Sequence, residues 1–92
     1  MTVRIGHTTF DQVSYDRDAD VLYLGTEHGG EAVEFDETPE GHHIRFNEAG
    51  ELIGVTIVNA RWLLEKDGQL PITMPRREVV TAAALRPALG VD

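Results

Sequence analysis

Residues 15–24, Tyr15-Asp16-Arg17-Asp18-Ala19-Asp20-Val21-Leu22-Tyr23-Leu24, decide how this chain folds. A polar turn sits there between two apolar segments, and the same order returns as Phe46-Asn47-Glu48-Ala49-Gly50-Glu51-Leu52-Ile53. Each copy runs aromatic, Asx, two turn residues, Ala or Gly, an acid and two aliphatics. Asx side chains bond the backbone of their own turn, and the flanking apolar residues suit paired strands, so each copy specifies an antiparallel hairpin. The copies differ at one position. Gly50 enters the left-handed region freely, whereas Ala19 in the matching place would do so at a cost of about 1 kcal/mol. Either the first turn has another geometry or Ala19 is strained. The recurrence reads as ordinary turn chemistry met twice rather than an internal duplication.

Working outward, Gly and Asx punctuation falls about every 8–12 residues, the spacing of an antiparallel β protein. Residues 10–16 read as one strand with Val13 and Tyr15 on one face, and 21–25 as its continuously apolar, central partner. After the break at His28-Gly29-Gly30, residues 31–36 alternate, with Val33 and Phe35 on the core face. Thr38-Pro39-Glu40-Gly41 is a turn, with proline presetting φ and glycine fourth. Residues 42–47 return with Ile44 and Phe46 inward and His43 and Arg45 outward, and 52–58 form the best strand. Asn59 suits an N-cap, Ala60, Leu63 and Leu64 fall at helical spacing, and Gly68 suits a stop. A further strand through 60–67 competes with that helix. Residues 69–74 look extended, with Pro71 and Pro75 holding them at a sheet edge. Thr81 can cap a helix reaching Leu89, with Ala83, Leu85 and Leu89 near the core and Pro87 limiting it.

The fold expectation is therefore α+β: one small antiparallel sheet of five to seven strands, open or partly closed, with one or two short helices. Its core is expected to hold Val13, Tyr15, Val21–Leu24, Val33 and Phe35 from the first half of the chain. Ile44, Phe46, Ile53, Val55, Ile57, Trp62 and Leu63 complete it.

Ninety-two residues suit a single domain, 1–92, able to bury one core. The absence of cysteine excludes disulfides, thiolate metal sites and cysteine nucleophiles. No apolar run approaches the ~20 residues that span a membrane, and the N-terminus lacks a signal-peptide core, so the expected setting is cytoplasmic. Net charge is −8 and unevenly placed. Residues 1–60 carry twelve acids against three bases, while 61–92 carry four against five. Such an acidic face repels nucleic acid phosphates and suits a basic protein partner.

Candidate chemistry is thin. Asp16, Asp18, Asp20 and Glu27 imitate the spacing of a calcium loop, but Val21 stands where its glycine belongs. Asp16 reads instead as an Asx-turn residue. His42 and His43 are adjacent and face opposite ways on a strand, and His7 and His28 lie elsewhere, so exposed or partly packed histidines are expected and no metal or cofactor is assigned. Ser14 and Lys66, alone of their kinds, lack a nucleophile context. Carboxylate pairs such as Asp36/Glu37 and Glu48/Glu51 would need a histidine in the same pocket to act as a hydrolase. Gly29-Gly30 lacks the residues of a phosphate loop, although with His28 and His42 it could border a small-ligand or metal site. Arg61 and Trp62 are the candidate partner surface, since Arg and Trp dominate interface hot spots. The competing reading places Trp62 over the sheet core.

The pattern Tyr-Asp-x-x-x-Asp-x-Leu-Tyr-Leu at 15–24, followed by Phe-Asn-x-x-Gly-x-Leu-x-Gly-x-x-Ile at 46–57, resembles the YuzE-like family of small bacterial proteins, a domain of unknown function. The likeness covers about residues 10–60 and leaves 61–92 as a C-terminal extension. It implies a compact α+β fold, no catalytic residues, and for some members an antitoxin-type role beside a small toxin-like partner. The functional expectation is a non-catalytic protein-interaction module, as a homodimer or with a partner covering a sheet edge. A small-ligand or metal-binding domain stands second and a carboxylate/histidine hydrolase third.

Overall fold

Both Asx turns close hairpins in the computed structural model, which describes residues 1–90; Val91 and Asp92, the end of the expected extension, lie outside the described residues. The strands are β1 (Val3–Ile5), β2 (Thr8–Phe10), β3 (Gln12–Asp16), β4 (Val21–Gly25), β5 (Glu34–Glu37), β6 (His43–Phe46) and β7 (Leu52–Val58). Helix α1 (Ala60–Asp67), β8 (Gln69–Thr73), β9 (Arg77–Thr81) and α2 (Ala82–Leu89) follow. Strands β3-β4-β7-β6-β5, in that spatial order and all antiparallel, form the principal sheet, while β1-β2 and β8-β9 are separate hairpins. The architecture is α+β with a five-stranded antiparallel sheet and two short helices, and the sheet stays open.

Each half of the first hairpin is set locally. The Asp16 carboxylate accepts the N–H groups of Asp18 (3.1 Å) and Ala19 (3.2 Å), the expected Asx turn. Its left-handed residue is Asp20 (φ 57), not Ala19, so the first turn does have a different geometry from the second, where Gly50 has φ 81. Aspartate tolerates that region better than alanine. In the second turn the Asn47 side chain accepts the Glu51 N–H at 2.9 Å and donates to the Gly29 carbonyl, fastening the glycine loop to the sheet.

The core lies on one face of this sheet. Leu22, Leu24, Val55 and Ile57 alternate inward on β4 and β7 and are buried with Ile44, against Leu70, Ile72, Val80 and Leu85 of the C-terminal half and Val3, Ile5 and Phe10 of the first hairpin. Full burial of each large apolar side chain of this kind stabilises by roughly 1.5–3 kcal/mol, and the layer built by residues 1–10 and 60–90 supplies most of the buried core residues. Gly68 (φ 74) ends α1 as expected, its N–H donating to the Leu64 carbonyl, and the Thr81 hydroxyl caps α2 by accepting the Ala84 N–H.

Several expectations are corrected. The 10–16 strand is two strands broken at Asp11, because Phe10 turns into the core with β1 while the Asp11 carboxylate accepts the Glu27 N–H at 2.8 Å. The hairpins β1-β2 and β9 were not anticipated; Gly6 (φ 60) between alternating Val3-Ile5 and Thr8-Phe10 was the available signal for the first. On α2 the buried stripe is Ala82, Leu85, Ala88 and Leu89, so Ala83 is exposed. Val33, Phe35, Tyr23 and Trp62 are exposed rather than core. Tyr23 and Phe35 sit on the sheet face that no element among the described residues covers, and Trp62 projects from the outer side of α1. Asn59 occupies the N-cap position in a left-handed conformation (φ 59), but its side chain makes no cap bond.

Candidate functional site

The missing cap comes from far away in the chain. Asp20, at the end of the β3–β4 turn, accepts the N–H groups of Arg61 (2.8 Å) and Trp62 (3.1 Å) on its carboxylate, and its carbonyl accepts the Ala60 N–H (3.2 Å). Tyr15 donates its hydroxyl to the same carboxylate at 2.7 Å. Burial opposes ionisation of Asp20, yet the Tyr15 hydroxyl and the two amides outweigh it and hold the carboxyl below its ordinary range. Burial, followed by the bond to Asp20, pushes the Tyr15 phenol up. This constellation is a helix anchor: the Tyr15 hydroxyl and both Asp20 carboxylate oxygens are paired within the fold.

It also separates the two residues of the expected partner surface. Arg61 is half-buried, its guanidinium 5.6 Å from the Tyr15 ring centre and donating to the Leu89 carbonyl at 3.2 Å, where it ties α1 to α2 and lines the shallow cleft between them. Trp62 stands 57% exposed, with the Lys66 ammonium 5.0 Å over its ring.

The larger exposed surface is the outer face of the principal sheet. Cross-strand pairing places Glu37, His43, Thr56, Tyr23 and Ser14 in one row and Phe35, Arg45, Gly54, Gly25 and Gln12 in the next. Arg45 lies flat across the second row, donating to Thr56 Oγ1 (2.9 Å) and to the Leu24 carbonyl (3.2 Å). A Cβ at Gly54 would collide with that guanidinium, so the glycine provides the bed in which Arg45 rests. At the edge of this face β5 is exposed along its whole length; Phe35 is 69% and Val33 58% accessible. Amphipathic alternation marks two faces in 31–36, and pairing with Arg45 puts Phe35 on the face away from the core layer.

The histidines are not brought together. His42 is 1% exposed, not partly packed: its Nδ1 accepts the Val58 N–H at 3.1 Å, at one end of β7, and burial holds the imidazole below its ordinary pKa, hence neutral. His28 lies at the opposite end of that strand, beside Gly29, Asn47 and Ile53. The small-ligand arrangement expected of His28, His42 and Gly29-Gly30 is therefore not formed. Among the described residues no group of three His, Asp or Glu side chains is placed to hold a metal ion. His43, Asp36 and Glu37 do line one shallow depression at the β5–β6 edge. Consecutive strand residues point to opposite faces, however, so Glu37 shares the outer face with His43 while Asp36 lies on the other. The Asp36 carboxylate is also taken up by the Glu37 N–H at 2.8 Å.

Fold and surfaces thus define a small α+β protein with one face of its sheet covered and the other bare. The profile of a family described as protein of unknown function, DUF2283, matches residues 12–61, more than half of the chain, and the protein belongs to that family. The match runs from the start of β3 into the first turn of α1, and so includes both Asx hairpins and the Tyr15–Asp20–Arg61 part of the anchor. No curated protein and no solved structure gives a significant match. Among the described residues no helix is long and apolar enough to cross a membrane.

Proposed function

We propose that this protein is a non-catalytic interaction module that engages a basic protein partner through its acidic half. One observation carries the reading: Phe35 stands in water on an uncovered sheet face, with exposed Val33 next to the strand, within residues 1–60, which hold twelve of the sixteen acids. Large side chains lose favourable burial in such positions unless something covers them, and acids around them select a cation-rich cover. The candidate surface continues to Tyr23 on the same face, while Trp62 offers a second candidate surface on α1, positioned by the neighbouring, half-buried Arg61. The likeness of 15–24 and 46–57 to YuzE-like proteins supports an antitoxin-type version of this role, in which the partner is a small basic toxin-like protein.

Purification from the source organism in low salt, followed by native mass spectrometry, tests the reading. A basic polypeptide in stoichiometric amount, released by raised salt, is the expected result. Absence of any protein bound at micromolar concentration in low salt sinks the interaction role. A single homodimeric species would transfer the uncovered edge to a second copy.

A further inference from the structure

The two edges of the principal sheet are not alike. Strand β3 has α2 packed against it, whereas β5 has β6 as its one substantial neighbour and is exposed on both faces. The phase of the β5–β6 ladder is set by the bond from Thr38 N–H to the His42 carbonyl at 2.7 Å. In an antiparallel pair the bonded residues alternate, so Glu34 and Asp36 turn their backbone groups toward β6. The N–H and C=O of Phe35 then point to the open edge. One residue on, the outward N–H of Glu37 is met by the neighbouring Asp36 carboxylate, which marks where the edge closes.

Side chains along this edge are sorted by face. Phe35 and Glu37 stand on the outer face, and Glu34 and Asp36 on the other; exposed Val33 precedes the strand, its N–H donating to the Phe46 carbonyl at 2.9 Å. No Lys or Arg occurs in 31–41, and the nearest cation, Arg45, directs its guanidinium across β7 to β4, away from the edge. A second copy is a poor occupant. With Phe35 opposite Phe35 in an antiparallel junction of continuous faces, Glu34 meets Asp36 twice, and like charges in directly opposed positions destabilise a sheet. Acids on an edge are also a common guard against self-pairing. What satisfies this edge is an extended segment whose alternate residues are apolar and basic.

We propose that β5 accepts such a segment of a partner protein as a sixth strand, an apolar residue on Phe35 and its Lys or Arg side chains against Glu34 and Asp36. This rests on the interaction-module reading and adds the mode of recognition and the partner's chemistry.

The test uses the full chain, isotopically labelled, with two short peptides, one alternating lysine with valine and one alternating glutamate with valine. The lysine peptide should shift the β5 amides, slow exchange of the Phe35 N–H, and bind roughly tenfold more weakly when Glu34→Lys and Asp36→Lys are combined, a change that should give the glutamate peptide the advantage. Equal binding of the two peptides overturns the charge argument. Shifts centred on Trp62 and α1 overturn the strand addition while leaving an interaction role in place. Self-association of the protein alone through β5 overturns it in favour of a second copy. Failure of the lysine peptide to bind at millimolar concentration also overturns it, and the interaction role is then decided separately by the low-salt purification.

Discussion

The Tyr15 hydroxyl donates a 2.7 Å hydrogen bond to the Asp20 carboxylate, and that carboxylate is the N-terminal cap of a helix that begins forty residues later, at Ala60. A turn residue thus performs the task that Asn59, next to the helix in sequence, leaves undone. The second Asx hairpin has no counterpart: Phe46 lacks a hydroxyl, and the Glu51 carboxylate stays within its own turn by accepting from the Asn47 side chain. The two motifs are alike in how they turn and unlike in what they hold.

Asp20→Ala should lose both the cap and tolerance of the left-handed backbone, each worth about 1 kcal/mol, for a total near 2 kcal/mol. Asp20→Gly relieves the backbone term and should cost about 1 kcal/mol, and Tyr15→Phe a similar amount. Urea unfolding midpoints check the ranking; equal losses for the alanine and glycine variants would refute the strain component.

Acid should destabilise the protein in two stages. Burial depresses the pKa of His42, so its stabilising contribution is complete above its ordinary value of about 6.5 and is lost as the pH falls through the depressed one. Asp20 and Glu40 behave alike at lower pH: burial opposes their ionisation but is outweighed by hydrogen bonds, for Glu40 those from the Thr73 N–H and hydroxyl. Their contributions are present above the ordinary carboxylate range and lost as the pH drops below it. Tyr15, raised, contributes below about pH 10 and loses that contribution as the pH climbs through its raised value. Denaturant midpoints measured against pH should fall from about pH 6.5, and His42→Asn should remove the upper part of that fall. An unchanged curve in that variant would assign the upper stage elsewhere.

Gly54→Ala should displace the Arg45 guanidinium from Thr56 and the Leu24 carbonyl, at a cost of roughly 1–3 kcal/mol. In an Arg45→Ala background the same change should cost much less, because the bed is then empty. Additive losses in the double-mutant cycle would mean that the two residues do not interact.

Arg61→Ala and Trp62→Ala should separate stability from recognition. The first removes a bond to the Leu89 carbonyl and the contact with Tyr15, and should destabilise by about 1–2 kcal/mol. The second, at an exposed site, should leave unfolding within about 0.5 kcal/mol of the parent. If α1 is a partner surface, Trp62→Ala should nevertheless weaken the complex seen in low salt; a complex of unchanged affinity would remove Trp62 from the interface.

How much of this was legible depends on the range of the interaction. The Asp16 turn, the Gly50 turn, strand 52–58, the Gly68 stop and the Thr81 cap were readable because each depends on residues within a few positions. Alternation in 31–36 was readable too, yet it names two faces without saying which is covered, and Phe35 ended on the bare one. Trp62 sits at helical spacing consistent with either side of α1, and the packing of that helix onto β8 turned it outward. His42 reads in sequence as an exposed or partly packed strand histidine, and only the approach of the Val58 amide shows it to be a buried acceptor.

By itself, then, the amino-acid sequence determined the two Asx hairpins, their turns and the antiparallel α+β class, because hydrogen-bonded turns and period-two alternation are local properties of the chain. Tertiary structure decided which sheet face is core and which is bare, that Asp20 anchors α1, and that β5 is left as an open acidic edge. Those outcomes depend on where residues 1–10 and 60–90 come to rest against the sheet, a matter of layer packing between segments that share no local pattern.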